Sequence, residues 1–329
     1  MRRTRQSDSM VSRSDTITFQ VLPFKLIYHS QYDLRLGSHI FPAVKYSLIH
    51  GQLLERGFAT PNDVVEPVRA TEEELYLVHT QEWVHRFSTG QLTPRELALL
   101  ELPYSEAVVQ GFLLAAGGTT LAGRLALRDG FAFHIGGGFH HAYADHGEGF
   151  CAINDIGVAI RVLQKEQLIA RAAVVDCDVH HGNGTAAIFA ADPSVFTLSI
   201  HQLHNYPQDK PPSSLDIDLE DGVGDEEYLL RLGEGYVSAI EKFRPDLIIY
   251  VAGADPYRED QLGGLQLTME GLKRRDRLVL DTAARLRVPA AVVLAGGYSA
   301  LVRDTVSIHA NTAEATLEAW HSMHSPEGL

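Results

Sequence analysis

Asp178 and His180 are the first candidates for metal chemistry in this sequence, because they lie two positions apart just after the apolar run Ala172–Asp176. At the end of a strand this spacing points both side chains in one direction, so that a carboxylate and an imidazole can bind one ion. Asp255 follows a second apolar run and supplies a third ligand. Two aspartates and one histidine leave one position open for water and a substrate oxygen, as a catalytic zinc requires. The alternative, in which each residue only caps a strand or loop, explains a lone Asp-x-His motif equally well but not the set of three.

Adjacent histidines and one tyrosine are candidates for the proton chemistry. His140 and His141 follow three glycines, and an imidazole there could accept a proton from water and protonate a leaving amine. Asp176 and Asn183 flank the metal segment at a spacing suited to orienting these rings. Tyr298 follows two glycines and a further apolar run, so its hydroxyl could donate to an oxyanion. The alternative for Tyr298 is a residue that packs at the rim of a sheet.

The elements that must position these residues are short β-branched runs that alternate with longer helical patterns. This alternation predicts an α/β fold, a single doubly wound domain with a mainly parallel central sheet. In such a sheet ligands bind beyond the carboxyl ends of the strands, where four polar segments would meet. The predicted strands are Phe131–Ile135, Ala172–Asp176, Val195–Ile200, Leu247–Val251 and Ala290–Leu294. The predicted helices are Ala43–Arg56, Glu72–Phe87, Val108–Leu127, Ile156–Glu166, Glu226–Phe243 and Met269–Leu286.

Length and composition predict one large domain. Hydrophobic residues make up 45% of the 329 residues, which is ample for a core, and the net charge of −14 disfavours direct binding to nucleic acid. We expect a disordered tail at residues 1–19, a catalytic domain at 20–320 and a loose tail at 321–329. Two cysteines suggest a reducing compartment, and with no 18-residue apolar run and no secretory signal we expect a cytoplasmic protein that binds no membrane. An amphipathic transit peptide is the alternative for the basic N-terminus.

Several motifs together resemble the histone deacetylase family, on its arginase/deacetylase-like α/β fold, and are most like its class IV branch. The resemblance runs from Ile27 to Tyr298. The segments that carry it are Gly136–His141, Gly149–Cys151, Asp176–Gly184, Gly253–Asp255 with Leu262–Gly264, and Gly296–Tyr298.

The resemblance implies hydrolysis of an acyl-lysine amide, in a peptide, a protein or an acylated small amine, with one Zn²⁺ per chain. Matched by position, Asp178, His180 and Asp255 would bind zinc. His141 would be the general base of the tandem pair with His140, Asp176 would orient His140, Asn183 would lie behind His141, and Tyr298 would stabilise the oxyanion. The substrate tunnel would be shaped by Gly149, Phe150, Tyr206, Leu262 and Gly296. A structural K⁺ or Na⁺ would use Asp176, Asp178, His180, Ser199 and Ile200.

Two departures from the family pattern affect what can be transferred. Many members have aspartate at the position of Asn183, and a neutral amide polarises its histidine less. No aspartate occurs in Leu102–Ser105 to match the loop residue that holds the substrate backbone in class I members. The enzymatic alternative is an acetylpolyamine or other small-molecule amidohydrolase. A binuclear manganese ureohydrolase and a non-catalytic acyl-lysine binding module fit less well.

Overall fold

Eight parallel strands form one sheet in the part of the chain that this computed structural model describes, residues 21–325. Their order across the sheet is β2-β1-β3-β8-β7-β4-β5-β6, with every neighbouring pair parallel. The strands are β1 Leu26–Ile27, β2 Val64–Val65, β3 Phe131–His134, β4 Ala172–Asp176, β5 Val195–Gln202, β6 Leu215–Leu219, β7 Leu247–Val251 and β8 Ala290–Val293. The predicted fold class is confirmed, and the sheet is parallel throughout.

Helices cover both faces of this sheet, so its central strands are buried on both sides. In β4, Ala173 and Val175 belong to one apolar layer, whereas Ala172 and Val174 belong to the other. The α-helices are α1 Lys45–Glu55, α2 Glu72–Leu75, α3 Gln81–Thr89, α4 Pro94–Leu100, α5 Glu106–Asp129, α6 Asp155–Lys165, α7 Asn183–Phe189, α8 Asp225–Phe243, α9 Met269–Leu286 and α10 Val302–His324. None of the helices within residues 21–325 is long and apolar enough to span a bilayer.

One predicted helix and one predicted domain boundary differ from the structure. The stretch Glu72–Phe87 is two helices rather than one, because the Thr80 side chain accepts a hydrogen bond from the backbone of Trp83 and begins α3 anew. The C-terminal tail is not loose from residue 321, since α10 continues to His324. The tail predicted at 1–19 lies outside the described residues.

The strand order explains how distant polar segments come together. Strands β3, β8, β7 and β4 are consecutive neighbours in the sheet, although they are far apart along the chain. Each is followed at its carboxyl end by one of the polar segments identified in the sequence. The candidate residues therefore converge at one edge of a rigid sheet, as expected for a doubly wound fold.

Candidate active site

Three predicted metal ligands lie within reach of one ion. The Nδ1 atom of His180 is 3.0 Å from Oδ1 of Asp178 and 3.3 Å from Oδ2 of Asp255. One ligand atom from each residue lies within 4.8 Å of the other two, and all three residues are buried. The structure thus brings together the two carboxylates and the imidazole that the sequence predicted.

The environment of these carboxylates fits a divalent cation. Oδ2 of Asp255 is buried and has no hydrogen-bond partner among residues 21–325. Burial and the nearby charge of Asp178 raise the pKa of Asp255 to about 7. A bound cation would supply the missing partner and remove the repulsion between the two carboxylates. The donor set of one nitrogen and carboxylate oxygens suits zinc.

Backbone contacts hold the loops that carry these ligands. Oδ2 of Asp178 accepts a hydrogen bond from the backbone of Gly296 at 2.8 Å. The buried Arg275 guanidinium, on α9, donates to the carbonyl of Gly253 at 2.6 Å and to that of Cys177 at 3.2 Å. One helix residue therefore fixes both the loop after β4 and the loop after β7. Arg275 lies in a run of charged residues, so the local sequence does not distinguish it from its charged neighbours or predict this role.

The tandem histidines each have an acceptor on Nδ1, as the predicted roles of Asp176 and Asn183 require. Nδ1 of His140 is 2.6 Å from Oδ2 of Asp176, and Nδ1 of His141 is 2.7 Å from Oδ1 of Asn183. Burial opposes the charge on His140, but Asp176 and Asp178 outweigh it and raise its pKa to about 9. Burial, together with the charges of neighbouring histidines, holds the pKa of His141 well below its ordinary value. The pair therefore combines one charged and one neutral imidazole, suited to acid and base roles.

A narrow cavity of about 170 Å³ opens beside these groups. It is smaller than the roughly 300–1,000 Å³ typical of pockets for drug-sized ligands, so it suits a slender chain. Its lining residues are Glu101, His141, Gly149, Phe150, His180, Asn205, Tyr206, Leu262 and Tyr298. Four of the five predicted tunnel residues are among them. Gly296 is not: it lies against the metal ligands, where an added Cβ would be 1.8 Å from Oδ2 of Asp255.

Tyr298 lines the same cavity as His141 and His180. Its ring centroid is 6.4 Å from that of His180. Burial and the charges of Asp255 and Asp178 raise the pKa of Tyr298 well above its ordinary value, so its hydroxyl remains a donor. The buried Lys45 ammonium lies 5.8 Å from the Tyr298 ring centroid and donates to a backbone carbonyl. Tyr298 is therefore a candidate hydrogen-bond donor to a group bound in the cavity.

Asp260, which the sequence interpretation missed, anchors two parts of the cavity wall. Its Oδ2 accepts from the backbone of Tyr298 at 2.6 Å, and its Oδ1 accepts from the backbone of Leu262 at 2.9 Å and of Gly263 at 3.1 Å. Glu101, also missed, lines the cavity one position before the segment Leu102–Ser105. An acidic residue thus lines the cavity, although the segment Leu102–Ser105 itself contains no aspartate.

The residues predicted to hold a monovalent cation lie in β4, in β5 and in the loop that follows β4. Asp176 is paired with Ser199 in the register of β4 and β5, and Ile200 follows in the same strand. All five candidates, Asp176, Asp178, His180, Ser199 and Ile200, are buried. The cation itself stays a prediction.

The fold and the site together indicate a candidate metal-dependent hydrolase. The carboxyl edge of an all-parallel sheet holds three candidate metal ligands, two imidazoles and a narrow cavity. Comparison with known proteins gives the family. The histone deacetylase domain matches residues 39–313, and the chain therefore belongs to the histone deacetylase family of hydrolases.

Individual known proteins are also similar to this chain. An uncharacterised protein of Picosynechococcus is 42% identical, over 87% of this chain and 96% of that one. Histone deacetylase 2 of Arabidopsis thaliana is 31% identical, over 83% of this chain and 74% of its own length. Among solved structures, that of the HDA15 HD domain is similar, with a TM-score of 0.75 over 89% of this chain and 88% of that one. At 24% identity this last likeness supports the fold alone.

Proposed function

We propose that this chain is a zinc-dependent hydrolase of acyl-lysine amides. The observation that supports this most strongly is that His141, Tyr298 and the candidate ligand His180 line one narrow cavity, with Asp178 and Asp255 within reach of the same ion as His180. Zinc bound by Asp178, His180 and Asp255 would lower the pKa of water and polarise a carbonyl. An extended acyl-lysine side chain is slender enough for the walls formed by Phe150 and Leu262.

The roles of the chain's own residues follow from the hydrogen bonds. His141 lines the cavity, is neutral, and has its Nδ1 occupied by Asn183, so its Nε2 can accept a proton from the attacking water. Tyr298 would donate to the oxygen of the amide carbonyl as negative charge develops there. The C–N bond then breaks as a histidine of the pair returns the proton to the lysine nitrogen. The products are a carboxylic acid and a free amine.

The direct test is a panel of lysine peptides bearing acyl groups from acetyl to myristoyl, assayed with metal-free and zinc-loaded protein. We expect turnover of at least one peptide, its loss after chelation and its return with zinc. The variant His141→Ala should lose turnover while still binding zinc. Peptide binding without turnover by the zinc-loaded protein would contradict the proposal and favour a non-catalytic acyl-lysine binding module.

One observation favours a small acylated amine as a second candidate substrate. Glu101 lines the cavity in a chain whose net charge is −14. A carboxylate there would attract a second ammonium group, as in an acetylated polyamine. Comparison of an acetyl-lysine peptide with acetylated polyamines separates the two candidates. If polyamines are preferred, Glu101→Gln should raise their KM more than that of the peptide.

Three further expectations remain proposals. The resemblance to the class IV branch is testable with the same acyl panel, since it makes long fatty acyl groups candidate substrates. A K⁺ or Na⁺ site near Ser199 predicts a higher thermal midpoint in either ion than in choline, for zinc-loaded protein. A cytoplasmic location fits the two cysteines, which are both buried thiols, and fractionation of the producing cells would test it.

A further inference from the structure

The side-chain amide of Asn183 has an oxygen at one end and a nitrogen at the other, so its orientation must be fixed, whereas that of an aspartate need not be. A carboxylate offers an acceptor at both oxygens, whereas a carboxamide offers one acceptor and one donor. In this chain Oδ1 of Asn183 accepts from Nδ1 of His141 at 2.7 Å, and Nδ2 of Asn183 donates to Oε1 of Glu148. The amide is thus placed between a histidine and a carboxylate.

Glu148 is well placed to impose that orientation. Its Oε1 also accepts from the hydroxyl of Tyr206 at 3.0 Å, and its Oε2 lies 3.6 Å from Nε2 of His146. Burial opposes ionisation of Glu148, but the hydrogen bonds from His146, Asn183 and Tyr206 outweigh it and lower its pKa. The group is therefore an ionised carboxylate at neutral pH and can only accept.

We propose that Glu148 is a positioning residue that fixes the orientation of the Asn183 amide and, through it, the tautomer of His141. The inference rests on the proposed function in assigning His141 the role of base. Turning the amide over would place its oxygen against the Glu148 carboxylate, so that two acceptors face each other. It would also place the amide nitrogen against Nδ1 of His141, which would then have to accept.

The two amide orientations lead to different chemistry at His141. With Oδ1 of Asn183 facing the ring, Nδ1 of His141 carries the hydrogen and Nε2 is free to accept a proton. With the amide reversed, the hydrogen moves to Nε2, and the ring cannot act as a base from that side. Glu148 thus supplies, one hydrogen bond further out, the acceptor that an aspartate at position 183 would supply by itself.

The decisive experiment is a double-mutant cycle of Glu148→Gln and Asn183→Asp, assayed by kcat and KM on the best peptide of the acyl panel. Glu148→Gln should lower kcat on the order of 10-fold, because a glutamine amide can face Asn183 with either end. Asn183→Asp alone should also lower kcat, since two carboxylates would then oppose each other. Together the two changes should restore most of the wild-type kcat, because the glutamine amide then donates to the new aspartate.

Two controls separate this effect from others. Tyr206→Phe removes the other hydrogen bond to Oε1 of Glu148. If Glu148→Gln acts by disturbing the cavity wall rather than Asn183, Tyr206→Phe should reproduce that effect as a change in KM. Asp145→Asn removes a negative charge near the same loop, where Asp145 contacts His146 but not Asn183, and it should leave kcat within about twofold. Wild-type kcat in Glu148→Gln, or additive losses in the double variant, would overturn the proposal.

A readout without turnover distinguishes failure of this inference from failure of the proposed function. The ¹⁵N chemical shifts of His141 report which ring nitrogen carries the hydrogen. We expect hydrogen on Nδ1 in the wild-type protein and a mixture of tautomers in Glu148→Gln, whether or not any peptide is hydrolysed. An unchanged Nδ1–H tautomer in Glu148→Gln would overturn the inference even if the enzyme is active.

Discussion

Replacement of Gly296 by alanine should disrupt the metal group without altering any ligand. The added Cβ would lie 1.8 Å from Oδ2 of Asp255 and 2.7 Å from Oδ2 of Asp178, whereas ordinary contact begins near 3.4 Å. Both carboxylates are buried, so relief requires a ligand to move by more than about 1 Å, and disturbing the orientation of metal ligands lowers metal affinity by roughly 10–100-fold. We therefore expect zinc affinity to fall on the order of 100-fold.

The assay is competition for zinc against a chromophoric chelator, with circular dichroism to check that the variant folds. Gly51→Ala is the matched control, because within the described residues an added Cβ at Gly51 meets nothing within 4 Å. Gly51 lies in α1, where alanine favours the helix by about 1 kcal/mol. A folded Gly296→Ala variant that binds zinc as tightly as Gly51→Ala would refute the geometry of the metal group.

Three other predictions concern turnover and stability. Tyr298→Phe should lower kcat on the order of 100-fold by removing the proposed oxyanion donor, whereas the exposed Tyr104→Phe should have little effect, as steady-state kinetics will show. Burial lowers the pKa of His79 to about 4 and that of His134 to about 3, so the unfolded chain, with values near 6.5, binds more protons below neutrality. The free energy of unfolding should then fall by roughly 2 kcal/mol for each histidine between pH 7 and pH 5; a flat profile in urea titrations would contradict this. Arg275→Met leaves the buried Asp276 carboxylate without its cationic partner, although Tyr250 and Thr312 still donate to it, and removes the donor to two carbonyls, so urea unfolding should show a loss of about 3–5 kcal/mol.

The central strands could be predicted because they are continuous apolar runs followed by polar residues. Strands β4 and β7 begin and end at the predicted residues. By contrast, β1 and β2 contain two residues each, which is too short for a periodic pattern to show. Helix α10 was missed: it begins without a side-chain cap, and its interior threonines are poor helix formers stabilised by burial.

The candidate ligands could be predicted because their spacing and residue types carry the chemistry. Supporting residues could not, since their roles depend on contacts between distant segments. Arg275 reaches the carbonyl of Cys177, 98 positions away. Glu148 could be any surface glutamate until folding places it beside Asn183, 35 positions later in the chain. Local sequence indicates which chemistry a side chain can perform but not which distant residues it will contact.

Asp260 links a residue of the cavity wall to the residue proposed to stabilise the oxyanion. The same side chain accepts hydrogen bonds from the loop that carries Leu262 and from the backbone of Tyr298. Substitutions that enlarge the wall at Leu262 to admit longer or branched acyl groups will shift a shared anchor as well. Such variants should therefore change in turnover as well as in preference for the acyl group. Directed evolution for a wider range of acyl groups should then select compensating substitutions near Asp260.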